Sequence, residues 1–266
     1  MGTVVFADSW SDFFAEFGLA LFAEFFEYSG GEIVDVNSRR NVVKFSLNRG
    51  TQKTVFFMKR FVRPHFKDMV FAWRSFGHWF SQARCEWENA RFLLDNDIKT
   101  YSPVCYGQET RFGLESKSII VTEQLQFQCL TDFIARNWSN LQAGQKEAVV
   151  RGVGCFVRRI HELQVSLPDL HIWHIFLRQR QAGHEYDFAV IDLHRMSRDV
   201  TDTRKRINNL GRLYHSLLDK YFDFGLKRLL IESYAGNDWP YDVGTLLACV
   251  RKQAAAISAR RNPKAY

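Results

Sequence analysis

Two acidic segments near the middle of the chain hold the residues best suited to chemistry. The first begins at Asp169 and ends at His174. The second begins at Ile191 and ends at Arg195, and its Asp192 closes the apolar run 188–191. Phosphoryl transfer requires one carboxylate that receives a hydroxyl proton and a second that holds Mg²⁺ against nucleotide phosphates. We therefore predict that Asp169 is a general base and that Asp192 is a metal ligand.

Each aspartate also has an ordinary structural interpretation. Asp169 follows Pro168, as turn residues often do, and Asp192 would be a common cap at the end of a strand. The order of features favours the chemical interpretation. A lysine in an apolar run, a helical glutamate and a long core helix precede the first aspartate, and a hairpin separates it from the second.

Lys59 and Glu86 are a predicted charged pair that precedes these segments. Lys59 ends the apolar run 55–58. A lysine there loses hydration, which is costly unless its ammonium pairs with an acid or a phosphate. On the next predicted helix, Glu86 shares an apolar face with Ala90, whereas Glu88 is rotated by about 200° toward solvent. The pattern predicts an ion pair, and its alternative is two surface residues whose stems lie on apolar neighbours.

Other metal and phosphate motifs are weaker. His171 and His174 could suggest a zinc site, but no cysteine or third histidine stands at a supporting spacing. The chain has no Gly-rich phosphate loop of the Walker or Rossmann type. His194 and Arg195 follow the second aspartate, and they would either contact phosphate or hold a loop.

Apolar periodicity predicts the elements that position Lys59 and Glu86. Residues 42–47 and 54–61 alternate around an Asn-Arg-Gly turn and predict a β-hairpin. Ser81 is a predicted N-cap for a helix that ends near Leu94. A buried strand is predicted over 118–123, and it leads into a hinge.

The second half of the chain is predicted to be mainly helical. Apolar residues at steps of four and three between Val149 and Leu163 predict a long core helix. Strands over 172–177 and 186–191 flank a polar turn, and helices follow from about Thr203. The order predicts an α+β fold with a small β-rich N-terminal lobe, a helical C-terminal lobe and a ligand cleft between them. The predicted parts are a helical extension over 1–36, an N-lobe over 37–125 and a C-lobe over 126–266.

Charge is unevenly distributed along the 266 residues. Residues 1–38 contain seven acids and no lysine or arginine, which leaves 36 basic and 22 acidic residues, a net charge of +14, in the remainder. Such a surface favours nucleotide phosphates, anionic lipid headgroups or nucleic acid without choosing among them. No nucleic-acid-binding motif accompanies the charge, so we predict no specific nucleic-acid partner.

The cysteines and apolar segments bear on location. Five single cysteines without a Cys-x-x-Cys pair favour a reducing cytosol. Two glutamates interrupt the apolar stretch 13–26, which argues against a signal peptide or a membrane span, so any membrane contact is predicted to be peripheral. Basic and aromatic residues interleave over 56–79, and the tail 251–264 has five bases and no acid. For 56–79 the alternatives are an anionic interface and ordinary packing of the side chains. For the tail they are an anionic interface and a solvated helix face.

At these residues the sequence resembles the bacterial lipopolysaccharide kinase group, the heptose and Kdo kinases, over about 40–250. Most kinases carry an asparagine five positions after the catalytic aspartate, but this group carries a histidine, and His174 matches it. The segments that carry the resemblance are Phe57-Met58-Lys59, Glu86-Trp87, Ile98-Lys99-Thr100, Val121-Thr122-Glu123-Gln124-Leu125, Ile160-His161, Asp169 with His174, Ile191-Asp192-Leu193-His194-Arg195 and Leu213-Tyr214.

The resemblance implies a bilobal fold like that of protein kinases, with ATP as co-substrate and Mg²⁺ as the metal. Lys59 would hold the α and β phosphates and Glu86 would orient it. The backbone from Glu123 to Leu125 would contact adenine.

The resemblance also implies roles for the acidic segments. Asp169 would be the base toward a sugar hydroxyl, and Asp192, with His174, would hold Mg²⁺. Mg²⁺ prefers oxygen ligands, so His174 would alternatively act through water, favour Mn²⁺ or contact phosphate. The implied acceptor is a lipid-linked sugar of the lipopolysaccharide core at the cytoplasmic face of the inner membrane.

Two departures from the group keep a second hypothesis open. Leu167-Pro168 replaces the usual His-Arg before the catalytic aspartate, and the segment 38–41 has no glycine beside the nucleotide. The first alternative is a nucleotide-binding pseudokinase that acts as a scaffold at the inner membrane. The second is a kinase that acts on a protein or on another small-molecule hydroxyl.

Overall fold

The structure is a computed structural model that describes residues 2–8, 10–180, 185–236, 239 and 242–266. The chain divides into two compact units. The first consists of Met1–Leu125 with Leu193–Arg195, and the second of Gln126–Asp192 with Met196–Tyr266.

A six-stranded antiparallel sheet forms the framework of the first unit. The described strands lie in the order β1-β5-β6-β4-β3-β2. The predicted hairpin is confirmed, since β3 and β4 pair along their length around the turn at Gly50, whose φ is +60°. The strands are β1 Thr3–Phe6, β2 Glu32–Asn37, β3 Arg40–Arg49, β4 Gln52–Val62, β5 Pro103–Arg111 and β6 Leu114–Glu123.

The helices of the first unit bury aromatic side chains against this sheet. Phe14 and Phe25 are fully buried beside Phe56 of β4, and the rings of Phe14 and Phe56 lie 5.1 Å apart. Ser81 caps the fourth helix by accepting from the Arg84 amide at 3.2 Å, as its position predicted. The helices are α1 Trp10–Ala15, α2 Phe22–Glu27, α3 Phe66–Phe76 and α4 Gln82–Asp95.

The segment 1–36 differs from the helical extension that was predicted. It contains the two helices, but it also contributes β1 and most of β2, which are the edge strands of the sheet. β1 pairs with β5, about a hundred residues further on, and every residue of β2 is exposed. β1 depends on this long-range pairing, whereas β2 is an exposed strand that pairs with its neighbour β3.

The second unit is mainly helical around a small sheet of order β7-β8-β9. The long core helix is confirmed as α6, which buries Val149, Val153, Phe156 and Ile160 on one face. The strands of the second unit are β7 Gln128–Cys129, β8 Ile175–Gln179 and β9 Tyr186–Val190. Its helices are α5 Leu130–Asn137, α6 Ala143–Glu162, α7 Thr203–Ser216, α8 Phe224–Ala235 and α9 Val243–Ser258.

The strand predicted over 172–177 begins later than expected. Ile172–His174 is a turn of 3₁₀ helix, closed by the His174 amide, which donates to the His171 carbonyl at 3.0 Å. The predicted polar turn before β9 includes residues 181–184, which lie outside the described residues. Among the helices that the structure describes, none has the length and apolar character needed to cross a bilayer.

Candidate functional site

The predicted ion pair is present in the first unit. Lys59 lies on β4 between β3 and β6, and its Nζ is 2.5 Å from Oε1 of Glu86 on α4. The Glu86 side chain is 0% exposed and the Lys59 side chain 17% exposed. The Tyr101 hydroxyl donates to the same Oε1. A strand, a helix and a loop thus hold the lysine beside a buried carboxylate.

One carboxylate oxygen of this pair is unsatisfied. Among the described residues, Oε2 of Glu86 is buried and has no hydrogen-bond partner. A buried acceptor without a partner is costly, and such groups are uncommon in folded proteins. The arrangement therefore leaves an acceptor available for a further donor or cation beside Lys59.

Glu123 and Leu125 lie at the end of the central strand β6. The Glu123 amide donates to the Ser102 carbonyl, and the Gln124 amide donates to the Val55 carbonyl, both at 2.9 Å. Partial burial raises the pKa of the Glu123 carboxyl. Leu125 follows as a partly buried residue and is the last residue of the first unit's main segment.

The short segment Leu193–Arg195 is attached to the first unit by side chains far away in sequence. The Asn89 side-chain amide donates to the Leu193 carbonyl at 2.8 Å. Nε and Nη2 of Arg195 both lie 3.0 Å from Oδ1 of Asp68. Of the two roles considered for Arg195, these contacts support holding a loop.

Asp169 of the second unit lies in a tight turn. The Leu170 amide donates to the Leu167 carbonyl at 3.0 Å, so Pro168 and Asp169 are the two central residues, and proline favours the first of these positions. The partly exposed carboxylate lies 4.0 Å from Nη1 of Arg212 on α7. A carboxylate in this turn is accessible and has a cation nearby.

The His174 ring lies between the two aspartates. Nδ1 is 2.7 Å from the main-chain carbonyl of Asp169, and because a carbonyl only accepts, Nδ1 carries the proton. In the neutral ring Nε2 then presents a lone pair, and it is 3.6 Å from Oδ2 of Asp192. The neutral imidazole nitrogen and the carboxylate oxygen both present lone pairs to the space between them. These two atoms can therefore ligate one cation.

Asp192 has an uncommon backbone conformation. Its φ is +66°, in the left-handed region that side chains other than glycine, asparagine and aspartate rarely adopt. It directly follows β9, where the preceding residues are buried, and its side chain is 13% exposed. The conformation turns the chain sharply at the point where the carboxylate leaves the strand.

Asn209 of α7 supports the turn that carries Asp169. Its buried Oδ1 is 2.8 Å from the Leu167 amide, 3.2 Å from the Ser166 hydroxyl and 3.2 Å from Nε2 of His161. The other nitrogen of His161 is 2.8 Å from the Tyr234 hydroxyl, and burial lowers the pKa of His161 to about 4. A neutral, fully buried network therefore holds the main chain just before the catalytic candidate.

The profile of the Lipopolysaccharide kinase (Kdo/WaaP) family matches residues 26–239, which is most of the chain. The chain belongs to this family.

Two relatives carry the same name, lipopolysaccharide core heptose(I) kinase WaaP. The protein of Pseudomonas aeruginosa PAO1 is 33% identical over 142 residues, which are 52% of this chain and 53% of the relative. The Escherichia coli protein is 27% identical over 139 residues, which are 50% and 52%. The chain thus spans about half the length of the curated relatives it matches.

A solved structure of WaaP in complex with acyl carrier protein shares the fold of this lipopolysaccharide kinase family member. The TM-score is 0.71 at 22% identity, and the alignment covers 96% of this chain and 99% of the other. The predicted α+β fold, with a β-rich first region and a helical second region like that of kinases, is confirmed.

The predicted site residues of this family member divide between the two units. Lys59, Glu86, Glu123 and Leu125 belong to the first, and the predicted base and metal ligands, Asp169, His174 and Asp192, belong to the second. Their functional roles remain predictions. Sequence reasoning missed three residues that contact them or support them, which are Tyr101, Arg212 and Asn209. It also missed Asn89, which donates to the Leu193 carbonyl.

Proposed function

We propose that this chain is a kinase that transfers the γ-phosphoryl group of ATP to a sugar hydroxyl of the lipopolysaccharide inner core. The observation that carries the proposal is the His174 ring, which contacts the main chain of Asp169 and faces the carboxylate of Asp192. Family membership supports the same reaction, and both curated relatives are named as heptose(I) kinases.

Asp169 is the proposed general base. The acceptor hydroxyl would give its proton to the Asp169 carboxylate while the sugar oxygen forms a bond to the γ-phosphorus and the bond to the β-phosphate oxygen breaks, which releases ADP. Arg212 places a cation 4.0 Å from this carboxylate.

Lys59 is the proposed ligand of the nucleotide phosphates, and Glu86 is its positioning partner. The ion pair and the Tyr101 hydroxyl limit the positions that the ammonium can take, which is the kind of preorganisation that charge stabilisation requires. Glu123 and Leu125 would present main-chain groups to adenine at the end of β6.

Asp192 and His174 are the proposed metal ligands. The donor set fits a divalent cation, because a carboxylate oxygen and an imidazole lone pair face each other across 3.6 Å. Mg²⁺ is the expected ion and Mn²⁺ the alternative, since a nitrogen ligand suits Mn²⁺ better. When bound, the ion would neutralise charge on the phosphates.

The acceptor is proposed as heptose or Kdo on a lipid-linked core, which places the reaction at the cytoplasmic face of the inner membrane. An acyl carrier protein is a proposed partner, because the solved structure with the same fold contains one. Co-elution of the purified chain with an acyl carrier protein in size-exclusion chromatography would test this part separately.

The experiment measures ADP release with purified core oligosaccharide, ATP and Mg²⁺ for the wild type and three variants. We expect Asp169→Asn to lower turnover by about 10²-fold or more, since removal of a general base costs about 10²–10⁴-fold. Asp192→Asn should also lower turnover strongly, because it removes a proposed ligand of the metal. Asp95→Asn, an exposed carboxylate at the end of α4, is the matched control and should retain activity.

The same preparations distinguish the scaffold alternative. Leu167-Pro168 in place of the usual His-Arg is the observation that favours it. A rise in melting temperature with ATP and metal, combined with no phosphoryl transfer to any core oligosaccharide, would favour a nucleotide-binding scaffold over a kinase. Turnover within severalfold of wild type in Asp169→Asn would refute the assignment of the base.

A further inference from the structure

We propose that one exposed face of α3 binds the surface of an anionic phospholipid bilayer. This surface, called the α3 face below, belongs to the first unit and consists of Phe66, Lys67, Trp73 and Arg74 of α3 together with Trp79, which follows the helix. The proposal adds an attachment surface to the proposed function and rests on it only for the biological purpose of membrane binding.

The exposed aromatic rings are the first observation. Phe66 is 65% exposed, Trp73 48% and Trp79 49%, and the rings of Trp73 and Trp79 stack with centroids 5.9 Å apart. Exposed large aromatic side chains in a cluster mark an interaction surface, and tryptophan favours the boundary between headgroups and acyl chains.

The helical positions of these residues are the second observation. Phe66 and Trp73 are seven residues apart and lie within about 20° of each other around the helix, as do Lys67 and Arg74. The basic pair is rotated by about 100° from the aromatic pair. The buried residue of α3, Ala72, lies on the opposite side. This pattern of an apolar stripe beside a basic stripe is typical of interfacial helices.

The charges of the face are the third observation. Neither Lys67 nor Arg74 has an acidic residue three or four positions away, so no helical ion pair neutralises them. Lys67 lies in the first turn, where a cation opposes the helix dipole, so local helix stability does not explain it. The acid of α3, Asp68, is rotated away and contacts Arg195 instead.

An anionic bilayer is the partner that satisfies all three observations. Aromatic rings would enter the headgroup region while Lys67 and Arg74 contact lipid phosphates. A protein partner or a second copy of this chain would also cover aromatic rings, but a basic stripe without a helical ion pair favours a surface with excess negative charge.

The test is co-sedimentation of the full chain with vesicles of phosphatidylethanolamine and phosphatidylglycerol, with phosphatidylcholine vesicles as the neutral comparison. We expect the wild type to bind the anionic vesicles and not the neutral ones. Lys67→Glu/Arg74→Glu should weaken binding by at least about tenfold, since each basic residue near a membrane contributes substantially. Trp73→Ser/Trp79→Ser should weaken it as well.

Arg136→Glu/Lys205→Glu is the matched control, with the same change in net charge at exposed positions of the second unit outside the basic tail. It should bind like the wild type. Equal losses in the control and in Lys67→Glu/Arg74→Glu would overturn the proposal in favour of unspecific attraction. Absence of wild-type binding would overturn it too, as would self-association that the tryptophan substitutions abolish.

Kinase assays keep this proposal separate from the proposed function. With water-soluble core oligosaccharide, the α3 variants should turn over like the wild type. With lipopolysaccharide embedded in anionic vesicles, they should lose activity in parallel with binding. Asp169→Asn should bind vesicles normally and fail in both assays, so failure of the chemistry and failure of membrane binding give different results.

Discussion

The two units hold their candidate site residues by different means. In the first, Lys59 and Glu86 face each other from a strand and a helix, so two regular elements position both charges. In the second, Asp169 lies in a turn and His174 in a 3₁₀ helix, and Asp192 has a left-handed backbone conformation. The first arrangement therefore depends on charge balance, whereas the second depends on hydrogen bonds that fix irregular backbone.

Removal of the Lys59 charge should lower the stability of the first unit, and this is the largest effect that we expect. Lys59→Met leaves the Glu86 carboxylate buried without its cation, and breaking a buried pair costs about 3–5 kcal/mol of unfolding free energy. Lys59→Met/Glu86→Gln should recover much of this loss, because no charge then remains buried. Urea denaturation measures the unfolding free energy of both variants.

Lys53→Met is the matched control for this comparison, since Lys53 is an exposed lysine of the same strand. It should change stability little. Equal destabilisation in Lys59→Met and in the double variant would contradict a dependence on charge balance.

A change of pH should affect the two units in opposite directions. Burial raises the pKa of Glu115 in the first unit to about 7 from 4.5, so the folded state binds more protons, and stability is lost as the pH rises between these values. Burial lowers the pKa of His161 in the second unit to about 4 from 6.5, so stability is lost as the pH falls through this window, on the order of 3 kcal/mol.

Amide hydrogen exchange at pH 5 and pH 7, corrected for intrinsic rates, would report each unit separately. Glu115 accepts from the Gln82 amide and from Ser118, and it is partly exposed, so its effect should be smaller than that of His161. Glu115→Gln should flatten the pH dependence of the first unit only. A parallel change in both units would contradict the opposite signs.

Asn209→Ala should disturb the second unit through its backbone. The substitution removes the acceptor of the buried Leu167 amide, and a buried donor without a partner costs about 1–3 kcal/mol. We also expect kcat to fall, because the turn that carries Asp169 loses its support, while the KM for ATP changes little.

The neighbouring Asn208 provides the control, since it is exposed on the same helix. Asn208→Ala should leave the melting temperature and kcat near their wild-type values. A loss of kcat in Asn209→Ala without any loss of stability would show that Asn209 acts in another way.

The smallest expected effect concerns the backbone of Asp192. Its φ of +66° costs alanine about 1–2 kcal/mol but glycine almost nothing. Asp192→Gly should therefore be more stable to urea than Asp192→Ala, although neither should retain activity. The reverse order of stabilities would mean that contacts of the side chain, rather than backbone strain, decide the stability at this position.

Some of the site was predictable because its causes are local. Glu86 was expected to be buried because it shares a helical face with apolar residues, and Lys59 because it ends an apolar strand; the ion pair followed from these two patterns. Tyr101 contacts the same carboxylate, but it lies in a loop without any periodic pattern. Nothing in its neighbourhood along the chain indicates the contact.

The edge strands show the same limit for the fold. β1 forms because its main chain pairs with β5, whose residues lie about a hundred positions away. A four-residue strand at an edge needs no distinctive apolar pattern, since its hydrogen bonds come from the partner. The 3₁₀ turn at Ile172–His174 was mistaken for strand for a related reason, because short apolar runs do not specify backbone conformation.

The regular spacing of apolar side chains was enough to predict the β3–β4 hairpin and the helices α4 and α6, and short motifs were enough to predict the family to which the chain belongs. The side chains that support the candidate base were visible only in the folded chain. Asn209 contacts Leu167 across 42 residues, and an asparagine on a helix carries no mark of its distant partner. Periodicity records burial along one element, whereas a hydrogen bond between elements depends on how the chain folds back on itself.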